Sequence, residues 1–209
     1  MNQILRRLTH GALLLCCAVS LHAASPWSVR LRATYLQTVD KSDPFTALAI
    51  NFPADAISVS DRLIPEIDIG YAFTDTISAE VVLTIPQEHK VSLAGVGQLG
   101  TFKHLPPTFL LQYRALPGSN FRPYVGAGLN LTLIWGDRLS VAGVPLGLES
   151  SSFGFAAQLG ADWKVNDHWS FNVDIKTAAI RSTVYAGSAS LTEARLDPWL
   201  YSVGASYEF

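Results

Sequence analysis

The histidines are the side chains best suited to catalysis, but none stands beside the groups that catalysis requires. An enzyme site needs a nucleophile or base that is held by an orienting partner. His89 follows Glu88 in a predicted loop, His168 follows Asp167 in a predicted turn, and His104 has no serine or carboxylate near it in sequence. Spacing typical of metal ligands is also absent. The sequence therefore predicts no enzyme, no metal site and no cofactor, although partners from distant segments stay possible.

Charged side chains recur at alternate positions, a spacing that suits an ion-paired cluster better than a reactive site. Arg30 and Arg32 flank one apolar residue, and Glu66 and Asp68 flank another. Alternate residues of a strand share one face, so charges of both signs would be gathered inside the fold. We expect them to form a polar plug made of Arg30, Arg32, Glu66, Asp68, Glu80, Arg114, Asp162, Asp174 and Lys176.

The elements that would position these charges are eight segments in which apolar and polar residues alternate. They read WSVRLRATY, PEIDIGYAF, ISAEVVLTI, TFLLQYR, RPYVGAGLNLTLIW, FGFAAQLGADWK, HWSFNVDIK and PWLYSVGASYEF. Short connections (FTDT, LPGSN and KVND) alternate with longer ones. This is the layout of outer-membrane barrels, whose periplasmic turns are short and whose external loops are long. The sequence predicts an all-β fold, an eight-stranded antiparallel transmembrane β-barrel with short periplasmic turns and long extracellular loops.

The N-terminal segment 1–23 predicts a cleaved secretory signal peptide, with the barrel in 24–209. A basic start precedes an apolar centre from Gly11 to Leu21, and small residues lead up to Ala23. A membrane anchor is the alternative, but this apolar run is short for a bilayer span. Cleavage would remove Cys16 and Cys17, so the exported domain would have no disulfide.

The composition of the chain indicates which kinds of partner the protein can contact. The chain is 49% hydrophobic and 15% charged, with a net charge of −2. Near-neutral charge without a basic stripe predicts no nucleic-acid partner. A soluble lipocalin-type barrel would place its apolar face inside. Because an Arg or Lys facing lipid at the midplane costs roughly 2–4 kcal/mol, the charged face should point inward and the apolar face should contact outer-membrane lipid.

The predicted external loops are unusually apolar, which leaves two interpretations open. Exposed loops rarely carry so much apolar surface without a function. They either pack together as a structural cap or line a funnel that receives apolar solutes. The residues that we expect to line such a funnel are Leu48, Ile50, Phe52, Leu93, Leu99, Leu105, Leu139, Val141, Leu146 and Phe153.

Several motifs together resemble the OmpW family of bacterial outer-membrane proteins. They are FKHLPPTFLLQY, FRPYVGAGLN, GFAAQLGADWKVNDHWSFNVDIK and the closing RLDPW and GASYEF. The resemblance extends over nearly the whole mature chain but leaves out the long loops. It implies an eight-stranded barrel whose outer half encloses a hydrophobic channel for small apolar compounds, with alkane-uptake proteins as a branch. It therefore favours the funnel over the cap.

Two prolines suggest how a solute could leave such a barrel. Pro106 and Pro107 precede a strongly apolar strand and lack the N–H groups that a sheet ladder needs. Our hypothesis is a lateral exit into the bilayer above the polar plug. The alternative is that they only begin the strand and block edge pairing.

Two further expectations concern partners and function. The C-terminal Phe209 resembles the signal that the outer-membrane assembly machinery reads.

The main alternative to transport is a structural, stress-related, receptor or adhesin barrel. An apolar middle of the first loop fits a channel wall better than an adhesive tip.

Overall fold

The computed structural model describes residues 25–47 and 49–209, so the predicted signal peptide and Leu48 lie outside the described residues. No helix in these two stretches is long and apolar enough to cross a membrane. Their strands are β1 (Trp27–Gln37), β2 (Lys41–Ser42), β3 (Phe45–Ala47), β4 (Ile50–Phe52), β5 (Ile57–Val59), β6 (Arg62–Ala72), β7 (Ile77–Thr84), β8 (Gln87–Leu93), β9 (Gly97–Leu105), β10 (Thr108–Arg114), β11 (Phe121–Val141), β12 (Val144–Leu148), β13 (Ser151–Lys164), β14 (Trp169–Ala178), β15 (Arg181–Ala186), β16 (Ala189–Arg195) and β17 (Trp199–Glu208).

Eight of these strands close into an antiparallel barrel, which confirms the predicted fold. The order around the barrel is β1, β6, β7, β10, β11, β13, β14 and β17. The last strand pairs with the first, from Ser28 opposite Glu208 to Gln37 opposite Trp199. Closure gives each of these strands a neighbour on both sides, so most of their backbone groups are paired within the barrel wall.

The two faces of each barrel strand differ as the alternation predicts. On β1, Leu31 is 57% exposed on the outside, while Arg30 and Arg32 are 2% and 4% exposed in the lumen. Aromatic rings cluster at the end with the short connections, where Trp27 meets Tyr71 edge to face at 4.9 Å. We call this the turn end and the opposite one the loop end. An apolar outer band flanked by such rings is typical of a membrane barrel.

The loop end differs from the prediction because most of its long connections are strands. β11 is 21 residues long and continues past the barrel, where it pairs with β9 and β12. β8 and β9 form a hairpin, and so do β15 and β16. Buried backbone groups need hydrogen-bond partners, so segments that carry apolar interior side chains extend the sheet instead of forming irregular loops. These strands surround a buried apolar cluster.

Candidate functional site

The half of the lumen nearer the turn end, which we call the lower half, contains a network of buried ion pairs. We call it the ion network. Arg32 lies 2.9 Å from Glu66 and 2.6 Å from Asp68, with side chains fully buried. Lys176 lies 2.8 Å from Glu66 and 2.5 Å from Asp174. These cations and carboxylates come from β1, β6 and β14, so the network joins strands across the lumen.

The same network continues toward the turn end. Arg30 contacts Glu80 and lies 2.9 Å from Asp162. Arg114, which is partly exposed, lies 3.7 Å from Asp162 and 3.8 Å from Glu208. The structure therefore brings together all nine residues that the alternation places in the plug. Their role in blocking passage stays a prediction.

Neutral side chains that the sequence analysis did not single out complete the network. The Tyr124 hydroxyl accepts hydrogen bonds from Arg32 at 3.1 Å and Asn172 at 3.0 Å, and it donates to Asp174 at 3.0 Å. The Gln158 amide donates to Asp174 at 2.7 Å. Hydrogen bonds to charged groups are what make a buried ion cluster tolerable. Only their even-numbered position on lumen-facing strands could have pointed to them.

A glycine provides the space for Tyr124. A Cβ atom on Gly160 would lie 2.4 Å from the Tyr124 ring carbon Cζ and from its oxygen. We expect Gly160→Ala to displace this ring, weaken its three hydrogen bonds and lower the free energy of unfolding by roughly 1–3 kcal/mol. Urea titration of the protein refolded in lipid bilayers would measure the change. Gly118→Ala is the control because its Cβ would meet nothing within 4 Å. Equal stability of both variants would contradict the prediction.

The ion network separates two spaces in the lumen. A cavity of about 550 Å³ opens at the turn end and is lined in part by Arg30, Gln112 and Arg114. On the other side of the network lies a small cavity of about 30 Å³, the lower cavity, whose lining includes Lys176 and Leu200. Water that fills the first space does not reach the second without passing buried charges.

The barrel wall beside the lower cavity is interrupted. β10 pairs with β7 only up to Thr108 opposite Val82, and pairing resumes between β8 and β9 at Gln87 opposite His104. Residues 83–86 and 105–107 lie between these points, and we call this interval the wall gap. Pro86, Pro106 and Pro107 have no N–H to donate, so these positions cannot complete a normal ladder. The two prolines of the sequence prediction thus lie at a one-sided break.

The opposite side of these prolines remains attached to the sheet. The Leu131 N–H donates to the Pro107 carbonyl at 3.0 Å. The buried Asn130 side chain donates to the Pro106 carbonyl at 3.3 Å and to the Thr108 hydroxyl at 2.8 Å. Asn130 therefore fixes the edge of the wall gap to β11. The sequence did not identify this residue as part of the site.

A second apolar cavity of about 30 Å³, the upper cavity, lies toward the loop end, with Val91, Leu99, Leu139 and Leu146 among its lining residues. Phe52, Leu93 and Val141 belong to the same buried cluster. Six of the ten residues expected in the funnel share this buried apolar interior, although not all of them line the cavity: Phe52, Leu93, Leu99, Leu139, Val141 and Leu146.

The other funnel residues lie elsewhere, which corrects the expectation for three of them. Phe153 is 69% exposed on the outer face of β13, because it has the same parity as the outward Phe155. Leu105 is half-buried opposite the outward Leu133, so it also faces away from the lumen. Ile50 is 53% exposed on the small β3–β4 hairpin. Leu48 lies outside the described residues.

The predicted assembly residue lies at the turn end. Phe209 is half exposed and packs edge to face on Tyr207, with ring centroids 5.0 Å apart. Its N–H donates to the Trp27 carbonyl at 3.2 Å, and its carbonyl accepts from Ser25 at 2.9 Å. The chain terminus is thus joined to the first barrel strand, and recognition by assembly machinery stays a proposal.

Comparisons with known proteins agree with this architecture. The OmpW family model matches residues 26–209. Outer membrane protein W of Vibrio cholerae is 40% identical over 154 residues, which cover 68% of this chain and 71% of that protein. The crystal structure of outer membrane protein OprG from Pseudomonas aeruginosa has a TM-score of 0.77 and 28% sequence identity, and the match covers 90% of this chain and 97% of that chain.

A further relative is named dibenzothiophene metabolism operon protein PahQ, from Pseudomonas aeruginosa. It is 29% identical over 192 residues, covering 88% of this chain and 89% of that protein. Family and fold are those of outer-membrane barrel proteins and not of known enzymes. Because the family model spans nearly the whole chain and the barrel closes with a lipid-facing apolar surface, this chain belongs to the OmpW family and is a β-barrel of the bacterial outer membrane.

Proposed function

We propose that this barrel conducts small hydrophobic molecules, which enter at the external loop end and leave sideways into the bilayer through the wall gap. The observation that carries the proposal is the position of the wall gap. Thr84 and Pro106, which lie within it, also line the lower cavity next to the ion network. A solute in this cavity would meet buried charges below it and a weakened wall beside it.

The chemistry of the interior supports an apolar solute. Leaving through the wall avoids the desolvation that passage through the ion network would demand. Apart from Ser182, the side chains that line the upper cavity are all aliphatic or aromatic. The name of the relative PahQ refers to dibenzothiophene, itself an apolar aromatic compound, and this agrees with the proposed class of solute.

A structural or receptor barrel is the second candidate, and one observation favours it. The upper and lower cavities measure only about 30 Å³ each, which is room for about one water molecule. In this conformation the apolar strands of the loop end pack as a cap. Conduction therefore requires the loop end to open by separation of its strands, whereas a structural barrel would stay closed.

Uptake by cells that lack or express the protein separates the two candidates. We expect the wild-type protein to accelerate uptake of naphthalene several-fold and to leave uptake of sorbitol unchanged. Pro106→Val with Pro107→Thr restores two N–H donors at the wall gap and should reduce naphthalene uptake. Pro117→Val, in a turn-end connection, is the matched control.

Each outcome has a defined meaning once electrophoretic heat-modifiability shows that the variants fold. Faster naphthalene uptake that the double variant retains would remove the lateral exit but keep the conduit. Unchanged uptake of both probes by the wild-type protein would overturn transport and leave the structural or receptor barrel.

A further inference from the structure

Two histidines lie inside the loop end, against one another and away from water. The side chains of His89 and His104 are both 0% exposed, and their ring centroids are 4.7 Å apart. Phe102 stacks on His89 at 5.7 Å and meets His104 edge to face at 6.0 Å. We call His89 and His104 the histidine pair. It is a buried polar group that packs against Phe102, a member of the buried apolar cluster.

Three of the four ring nitrogens of the histidine pair have no hydrogen-bond partner within the described part of the chain. The exception is His89 Nδ1, which lies 2.6 Å from the Ser60 carbonyl oxygen. A carbonyl can only accept, so Nδ1 carries the proton and donates. His89 Nε2 is then an unused acceptor in the neutral ring. His104 offers one unused donor and one unused acceptor.

The histidine pair lies between the two apolar cavities. His104 is opposite Ile134, which lines the upper cavity. Two residues further along the same inner face is Pro106, which lines the lower cavity at the wall gap. Thr84 also lines the lower cavity there, and its buried hydroxyl has no partner in the described residues. Unused hydrogen-bonding atoms thus lie between the linings of the two cavities.

We propose that the histidine pair, together with Thr84, is a binding site for neutral solutes that combine an apolar body with one hydroxyl group, such as alkylphenols. Once the loop end opens, the apolar body would contact the side chains that line the two cavities. The hydroxyl would donate to an imidazole nitrogen that otherwise lacks a partner. This inference rests on the proposed function, because the solute must reach the interior from the loop end.

Charge argues for a neutral ligand. Burial lowers the pKa of both rings, that of His104 to about 3, so both are neutral at pH 7. No cationic imidazole is then available to pair with a carboxylate. An ion of either sign would also lose its hydration among apolar side chains. A phenolic O–H loses much less and gains an acceptor.

Binding to the full protein in lipid nanodiscs tests the site with two matched probes. 4-Ethylphenol and 4-ethyltoluene have nearly the same shape and differ by a hydroxyl in place of a methyl group. We expect the phenol to bind about tenfold more tightly, as one additional buried hydrogen bond would give. We also expect it alone to shift the ¹⁵N resonance of an imidazole nitrogen in the histidine pair.

His104→Phe should reduce the preference for the phenol, because only His89 Nε2 and Thr84 remain as unused partners. It should leave the binding of 4-ethyltoluene unchanged, since the aromatic packing on Phe102 is kept. If this variant does not fold, the ¹⁵N shift in the wild-type protein still shows whether the phenol contacts an imidazole nitrogen. Equal affinities for both probes, or unshifted imidazole resonances, would overturn the site and leave the proposed conduit standing. Failure of both probes to bind would overturn the site, and unchanged naphthalene uptake would separately overturn the conduit.

Discussion

Replacing Arg32 by methionine should lower the free energy of unfolding by roughly 3–5 kcal/mol, the usual cost of breaking a buried ion pair from one side. Arg32 lies within 3 Å of Glu66 and Asp68, and its Nε donates to Asn172 at 2.7 Å. Methionine fills much of the volume but supplies no charge or donor. Lys176 would remain as the nearest cation to Glu66, at 2.8 Å. The folded-to-unfolded ratio should fall more than a hundredfold.

Urea unfolding in lipid bilayers measures this effect, and the chain offers a matched control. Arg181 forms a 3.8 Å pair with Glu193 at the loop end, where its side chain is 55% exposed. Arg181→Met should therefore change stability by about 0–1 kcal/mol. A similar decrease in the free energy of unfolding in both variants would show that the stability of the ion network does not depend on Arg32.

A third variant shows whether Arg32→Met loses stability because carboxylates are left unpaired or because packing is lost. Arg32→Met combined with Glu66→Met and Asp68→Leu removes the unpaired carboxylates as well. Apolar replacement of a whole buried ionic group is often neutral or stabilising, so we expect this variant to recover much of the lost stability. Lys176 keeps Asp174 at 2.5 Å as its partner. Further destabilisation would instead indicate that the carboxylates hold the strands together by other contacts.

The barrel and its charged interior were predictable because the membrane imposes a strict contrast between two faces. Leu31 must face lipid and Arg30 must not, and a period of two follows from strand geometry. Each lumen-facing charge is therefore visible in a single segment. What one segment does not reveal is the partner. Arg30 meets Asp162, 132 residues away, and that match depends on the stagger of the closed barrel.

The loop end was less predictable for a different reason. Its interior positions come from short strands whose alternation shifts at bulges. In β9, for example, Leu99 is an extra residue between Gln98, which pairs with Ser92, and Gly100, which pairs with Val91. Parity read from neighbouring residues does not survive such a shift. For Phe153 the alternation is regular and was overlooked. Its odd-numbered position on β13 places it on the outer face, although its position near the loop end suggested the funnel. The meeting of His89 with His104 depends on the β8–β9 register, which the sequence did not indicate.

Acidification from pH 7.5 to 4.5 should loosen the loop end, because the histidine pair is buried without charge. His89 and His104 lie in β8 and β9, outside the eight strands that close the barrel. Burial lowers the pKa of His104 to about 3, with a smaller contribution from His89. Burial also lowers the pKa of His89, with Arg62 acting in the same direction, while Ser60 and Asp61 oppose it.

The sign follows from proton binding in the closed and opened states. An exposed histidine titrates near pH 6.5, so below that pH the opened segment binds protons that the closed segment refuses. Stability is complete above about pH 6.5 and is lost progressively toward pH 3. Over the two units down to pH 4.5, His104 alone contributes roughly 2–3 kcal/mol, or up to about a hundredfold in the opening equilibrium.

Amide hydrogen exchange in β8 and β9, corrected for the intrinsic dependence on pH, measures this opening. His104→Phe is the matched control because it keeps the ring on Phe102 and removes the group that titrates. We expect acid to accelerate exchange in the wild-type protein much more than in the variant. Equal acceleration in both would show that other groups control the loop end. Since the histidine pair lies between the upper and lower cavities, its protonation would act at the very place where the closed interior must open for a solute to reach the wall gap.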